Sequence, residues 1–364
     1  MKCFIYRWLG YIHVAMTILE CTMLIVSSYR SPGMAKRDFD LTIGINYGRV
    51  ADNLPKPMKV SRLVQKLGIE NVKIFDANRQ VLHAFAYTGI SVTICVPNEE
   101  IISLAVSAQA ACTWIYNNVK QFVPATKITY IMVGNEILGG DPTIWSALVP
   151  AMWQLYTGLR YYNLENEIKI STPHSLAVLA TSFPPSAGTF QPNIATSVMA
   201  PLLRFLKLTQ SDFMLNAYPY LAYLGDGGKH IALEFALIEP NATKVVDPNT
   251  GLEYSCLLDL MIDATIYAMK ALNYDDIPLI ITETGWPSQG DPSEIGASIP
   301  NAAIYNNNLV KHVTTLGTPL RPGVEFDTYI FALFNEDLKP GPASERNWGL
   351  FYPNLTQVYA ISLN

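Results

Sequence analysis

The chain has 364 residues, of which 50 % are hydrophobic and 15 % charged, and a net charge of −5. So apolar a composition supplies a large core and excludes intrinsic disorder. With no run of Lys or Arg, an acidic balance also sets nucleic acid aside as a partner and favours a neutral or weakly charged ligand.

The first elements in chain order are a leader and a linker. Lys2 and Arg7 precede an apolar stretch from Trp8 to Val26, and Ser27-Ser28 follow it. This order of basic, apolar and small residues predicts a signal peptide over 1–28 and a linker over 29–40. Glu20 interrupts the stretch, and a charge near the middle of a spanning helix costs about 2.5–3.5 kcal/mol. A transient signal therefore fits better than a signal-anchor. No later segment has the length and apolarity to span a bilayer. The last residues before Asn364 carry no apolar tail of the lipid-anchor kind. A secreted chain in the extracellular space or cell wall is expected, without stable membrane insertion.

From residue 41 on, short β-rich runs alternate with helix-like segments. The runs are Thr42–Tyr47, Asn71–Phe75, Ser91–Val96, Ile128–Val133, Ile168–Thr172, Phe213–Ala217, Leu279–Thr282 and Tyr329–Phe334. Helices are expected near 55–67, 78–88, 98–122, 142–162, 195–207, 255–273 and 299–316, with a weak one near 355–362. The runs are apolar throughout, as expected of parallel strands buried on both faces. Eight such strands with helical crossovers predict a (β/α)8 barrel forming one domain over 41–364. A doubly wound open sheet fits less well, because no Gly-rich phosphate turn follows the first strand. The stretch 219–254 exceeds a usual strand–helix loop and carries Gly225, Gly227, Gly228, Pro240 and Pro248. It is expected to form a small subdomain after the sixth strand, walling one side of a cleft.

Outside the leader stand Cys95, Cys112 and Cys256, an odd number without metal-like spacing, so no metal is expected. Asn241-Ala-Thr243 and Asn354-Leu-Thr356 are glycan acceptor triplets that predict surface loops.

In a barrel every strand's C-terminal end opens on one face, where catalytic residues gather. The polar residues ending the runs then form one constellation: Asn46/Tyr47, Asp76, Asn98, Asn135-Glu136, His174, Tyr218, Glu283 and Asn335-Glu336. Glu136 and Glu283 each close an apolar run, where burial demands compensation. Two carboxyl groups facing each other are what glycosidic hydrolysis requires, one to protonate the leaving oxygen and one to attack or to activate water. Asn135 stands where it could hydrogen-bond a sugar hydroxyl, and Trp286 where it could stack on a sugar ring.

These motifs carry a resemblance. Ile43-Gly44-Ile45-Asn46-Tyr47-Gly48, Val133-Gly134-Asn135-Glu136 and Thr282-Glu283-Thr284-Gly285-Trp286-Pro287-Ser288 occur in family order. Phe331-Ala332-Leu333-Phe334-Asn335-Glu336 and Ser344-Glu345-Arg346-Asn347-Trp348-Gly349-Leu350-Phe351 follow them. Over about 41–360 the chain resembles the plant glucan endo-1,3-β-glucosidases of glycoside hydrolase family 17. The resemblance implies retaining hydrolysis of β-1,3-glucan, with Glu136 as acid/base and Glu283 as nucleophile. It also implies that Glu336, Lys339 and Glu345 bind sugar hydroxyls or tune Glu283, and that Tyr47, Tyr218 and Tyr220 line the cleft. The family often has Arg where Lys73 sits and Tyr where Phe75 sits. Neither cofactor nor metal is implied, and a monomer is expected. Hydrolysis of mixed 1,3-1,4-β-glucan and a non-catalytic glucan-binding wall protein are the alternatives; retention of both glutamates speaks against the second.

Overall fold

The computed structural model describes residues 43–314 and 317–363. The expected leader and linker lie outside the described residues. The strands in chain order are β1 Ile43–Tyr47, β2 Asn71–Ile74, β3 Ser91–Val96, β4 Lys127–Val133, β5 Lys169–Ser171 and β6 Pro173–Ser175. They continue as β7 Leu179–Thr181, β8 Thr189–Phe190, β9 Phe213–Asn216, β10 Val245–Val246, β11 Glu253–Tyr254, β12 Leu279–Thr284 and β13 Thr328–Ile330.

The main sheet has the order β5-β4-β3-β2-β1-β13-β12-β9-β6, and every pairing in it is parallel. Its two outer members, β5 and β6, are separated in the chain by Thr172 alone. They are therefore halves of one interrupted strand, the first pairing with β4 and the second with β9. The sheet closes through that break into the eight-stranded barrel expected. Burial on both faces explains the apolar runs: every residue of β1, β3 and β12 is buried.

The helices behind the strands follow from spacing. Trp145–Tyr161 buries Leu148, Ala151, Met152, Leu155 and Leu159, a three-to-four repeat that turns one stripe inward. Leu257–Ala271 is buried over most of its circumference, because the subdomain and the β7–β8 ribbon cover its outer side. The subdomain after β9 contains the helices Pro219–Asp226 and Leu233–Ala236 and the β10–β11 ribbon. Phe235, Ala242 and Tyr254 form its own small core with Leu260.

Three expectations need correction. The segment 98–122 is not one helix, because Ser107 takes an extended conformation and its Oγ caps Ala110, starting a fresh helix at Ala108. The weak helix near 355–362 does not form. Asn354 Oδ1 accepts from the Thr356 amide, and Val358 returns its amide to the Leu350 carbonyl, so the segment doubles back extended. The eighth strand also ends early, at Ile330. Ala332 then donates to the Trp348 carbonyl and accepts from Leu350, while Leu333 donates to the Asn46 carbonyl. This segment is thereby committed to the closing loop rather than to the ladder.

Candidate active site

Glu283 lies in β12 opposite Asn216 of β9. Glu136 lies just beyond β4, with its amide donating 3.1 Å to the Pro173 carbonyl at β6. The split strand therefore stands between the two glutamates, and Asn216 links them. Its backbone is registered with Glu283, and its Nδ2 donates to Glu136 Oε1 at 2.8 Å. Asn216 Oδ1 accepts from Thr282 Oγ1 at 2.8 Å, which fixes the amide's orientation.

Glu136 takes a left-handed backbone conformation, φ 50°, two residues after Gly134 at φ 71°. A non-glycine residue is uncommon there and persists only where its surroundings hold it. Here the turn and the Pro173 contact bring the carboxyl to Asn216. Burial pushes the Glu136 pKa above the ordinary carboxylate value and the Glu283 charge adds to this; the Asn216 hydrogen bond acts in the opposite sense. A proton is thus retained on Glu136 into a higher pH range than for a free glutamate.

The environment of Glu283 differs. Its Oε1 forms an ion pair with Lys73 Nζ, and its Oε2 accepts from the Tyr218 hydroxyl at 2.7 Å. The Lys73 side chain is 0 % exposed. A lysine buried so completely requires a charge partner, and its ammonium also lies 4.5 Å from the centre of the Phe75 ring. Burial and then the Glu283 charge hold the Tyr218 hydroxyl well above its usual titration range, so it stays a donor. One carboxyl group is disposed to keep a proton, and the other is oriented by a cation and a phenol. That difference of environment is what a two-carboxyl reaction needs.

Replacing Asn216 with Ala removes the hydrogen bond that, together with the Lys73 charge, opposes the upward shift of the Glu136 pKa. The high-pH limb of kcat/KM should then move to higher pH, as expected of a catalytic acid at Glu136. The turnover number should fall about ten- to a hundredfold as the carboxyl loses its orientation. A pH–rate profile checks this, and an unmoved or acid-shifted limb would contradict the link.

The remaining predicted residues divide by environment. Glu345 is half-buried, and its charge acts on both Glu136 and Tyr218. Asn135 is half-exposed, and its side-chain Oδ1 is buried without a hydrogen-bond partner, while its backbone N–H donates to Asn98 Oδ1 at 2.9 Å and its carbonyl accepts from Asn98 Nδ2. Glu336 is buried, with Oε1 accepting from the Val50 amide at 2.7 Å and Oε2 lying 3.6 Å from Lys339 Nζ. A Cβ on Gly48 would sit 2.2 Å from Glu336 Oε2, so glycine is required for this approach. Lys339 also lies over the Phe331 ring, 4.2 Å from its centre. Tyr47 is buried against Phe334, and burial raises its pKa to about 12.

Trp286 and Tyr220 are corrections. Both are fully buried. Trp286 donates Nε1 to the Gly296 carbonyl and packs among Tyr220, Tyr223 and Tyr305, so it offers no face for a sugar to stack on. Tyr220 fills the space between Trp286 and Trp348. Of the other strand ends, Asp76 pairs with Arg49, and His174 is buried and kept neutral, its pKa pushed down to about 3. His312, in the last turn of the helix Ile299–Val313, is largely buried, its side chain 11 % exposed. Asn241 and Asn354 are both exposed.

Beyond the expected Tyr218, the site's main partners outside the glutamate motifs are Lys73 and Asn216. A lysine inside an otherwise apolar strand was the available signal for the first. Asn216 is a polar residue one position before the end of its run, and alternation hides which strand residues turn inward.

A (β/α)8 barrel with two differently held glutamates on the C-terminal rim defines a glycoside-hydrolase barrel. The chain belongs to the glycosyl hydrolases family 17, whose sequence profile matches residues 43–363. It is 46 % identical over 330 residues to glucan endo-1,3-β-glucosidase 12 of Arabidopsis thaliana, covering 90 % of this chain and 60 % of that protein. Glucan endo-1,3-β-glucosidase 11 of the same plant is also 46 % identical, over 88 % of this chain and 75 % of the relative. The chain thus spans between 60 % and 75 % of the length of these two relatives. Among solved structures, CJP38, a β-1,3-glucanase and allergen of Cryptomeria japonica pollen, superposes with a TM-score of 0.84 at 44 % identity, covering 89 % of this chain and 99 % of that one. A structure from work on two plant β-glucan endohydrolases with distinct substrate specificities superposes at 0.81 and 37 % identity, covering 88 % and 100 %.

Proposed function

We propose that the chain is an extracellular endo-hydrolase of β-1,3-glucan acting by double displacement. The observation that carries this is the contrast between Glu136, whose proton is held by burial, and Glu283, which is gripped by Lys73 and Tyr218. The names of the relatives support the linkage. In the first step a Glu283 oxygen attacks the anomeric carbon while the Glu136 proton moves to the departing glucosyl oxygen. The glycosidic bond breaks and a covalent glycosyl-enzyme forms. In the second step Glu136, now a carboxylate, takes a proton from water; the resulting nucleophile displaces Glu283 and the proton is back on Glu136. Two inversions leave the anomeric configuration unchanged.

Asn135, Glu345 and Lys339, all partly exposed, are the residues we assign to sugar hydroxyls. Glu336 acts through the β1 loop that it holds, and Tyr218 through Glu283. The signal-like sequence of residues 1–28 and exposed acceptors at Asn241 and Asn354 support passage through the secretory route. No helix among the described residues is long and apolar enough to cross a membrane. The linkage is tested by incubating the protein with laminarin, barley-type mixed glucan and cellulose while following products by size and by proton NMR. Laminarin should be cut internally and the first-formed reducing ends should be β. Faster cleavage of mixed glucan would transfer the assignment to 1,3-1,4 linkages, and α ends would refute the double displacement.

A further inference from the structure

The helices Leu257–Ala271 and Ile299–Val313 bring three groups together that the proposed hydrolysis does not use. Cys256 sits at the N-cap of the first helix and Asp259 in its first turn, while His312 lies in the last turn of the second. Cys256 Sγ is 3.6 Å from His312 Nε2, and His312 Nε2 is 2.7 Å from Asp259 Oδ1. The three donor atoms all lie within 4.8 Å of one another. Cys256 and Asp259 are buried, and the His312 side chain keeps a partly exposed edge.

We propose that Cys256, Asp259 and His312 form a binding site for a borderline-soft divalent cation of the zinc class, tying the two helices together. The donor set of one thiolate, one imidazole and one carboxylate is that of such an ion, and hard cations such as magnesium take oxygen instead. Tetrahedral coordination at zinc bond lengths separates sulfur from nitrogen by about 3.6 Å and nitrogen from oxygen by about 3.4 Å. The first spacing is already present. The second requires the His312–Asp259 hydrogen bond to open by less than the width of an atom, which rotation of two side chains supplies. Water completes the fourth position from the exposed edge of His312. Binding converts the Cys256 thiol to thiolate and delivers its proton to solvent. Because binding releases that proton, it should strengthen as pH rises. The residues lie 53 to 56 positions apart across the two helices, so no sequence spacing announces them.

The full chain, stripped with chelator, should take up one equivalent of Zn²⁺ by titration calorimetry, and Co²⁺ should give the near-ultraviolet charge-transfer band of a thiolate ligand. Cys256→Ser and His312→Gln should each weaken Zn²⁺ binding at least tenfold, and Cys256→Ser should abolish the cobalt band. Cys112→Ser, which alters the half-exposed thiol elsewhere, should leave both unchanged. His312→Gln carries the comparison if Cys256→Ser fails to fold. Absence of stoichiometric uptake, a cobalt spectrum without the band, or wild-type affinity in His312→Gln would overturn the proposal. The readout is metal occupancy, so it stands independently of glucan turnover.

Discussion

Glu283→Ala is expected to lower kcat on laminarin by roughly 10⁴-fold or more, the scale seen when a covalent nucleophile is removed. Glucan should still bind, because the hydroxyl contacts assigned to Asn135, Glu345 and Lys339 do not depend on the deleted carboxyl. The substitution also opens a space beside Tyr218 and Lys73, the latter then a buried ammonium without its carboxylate partner. A small anion is suited to that space. With an aryl β-laminaribioside and azide, part of the activity should return, and the product should be the α-glycosyl azide, formed by one displacement at the vacated face. Wild-type turnover, or a β-azide from this variant, would show that Glu283 is not the nucleophile.

Glu136→Gln is expected to reduce kcat on laminarin by about 10²- to 10⁴-fold, the usual contribution of a positioned general acid. The amide is close in size to the carboxyl and can still meet Asn216, so the fold and the left-handed turn should be kept. What is lost is the transferable proton. The defect should therefore shrink on aryl glucosides whose phenolate leaves without protonation, with the second step then becoming limiting and glycosyl-enzyme accumulating. The high-pH limb of kcat/KM set by this group should disappear. A rate loss of the same size on natural and activated substrates would argue against the acid role.

Much of this was legible because barrel strands have a simple code. Apolar runs of five or six residues ending in a polar side chain mark both the strand and the rim it points to, and Glu136 and Glu283 fell out of that code before any resemblance was invoked. The subdomain between 219 and 254 was visible from its excess length and its glycines. The tryptophan of the Glu-Thr-Gly-Trp-Pro run was not placed by its sequence, because a residue three positions past Glu283 can turn either toward the barrel rim or behind it. Gly296 and three tyrosines decide for the interior. The segment at 331–334 has strand composition, yet its hydrogen bonds go to Asn46 and to 348–350. Competition among backbone partners so distant in the chain leaves no local trace.

Lys73 shows the same limit from the other side. As a residue it stands out as a charge inside an apolar strand and as a replacement for the family's usual Arg. As a side chain it is one of two groups holding the Glu283 carboxylate. A guanidinium offers a fork of donors, and an ammonium is a compact point charge. Over the Phe75 ring, that point charge reaches a single Glu283 oxygen and leaves the other to Tyr218.

The pairing of β1 with β13 bears on how such a chain can be made. Asn46 of β1 donates to the Ile330 carbonyl across 284 residues, so the first strand synthesised waits for the last before its second edge is covered. Until then the growing polypeptide displays two bare strand flanks, each able to recruit another molecule. Closure this remote in sequence is slow. A product truncated before residue 328 would lack the seam rather than a trimmed end, and should be recovered as aggregate instead of as a smaller working barrel.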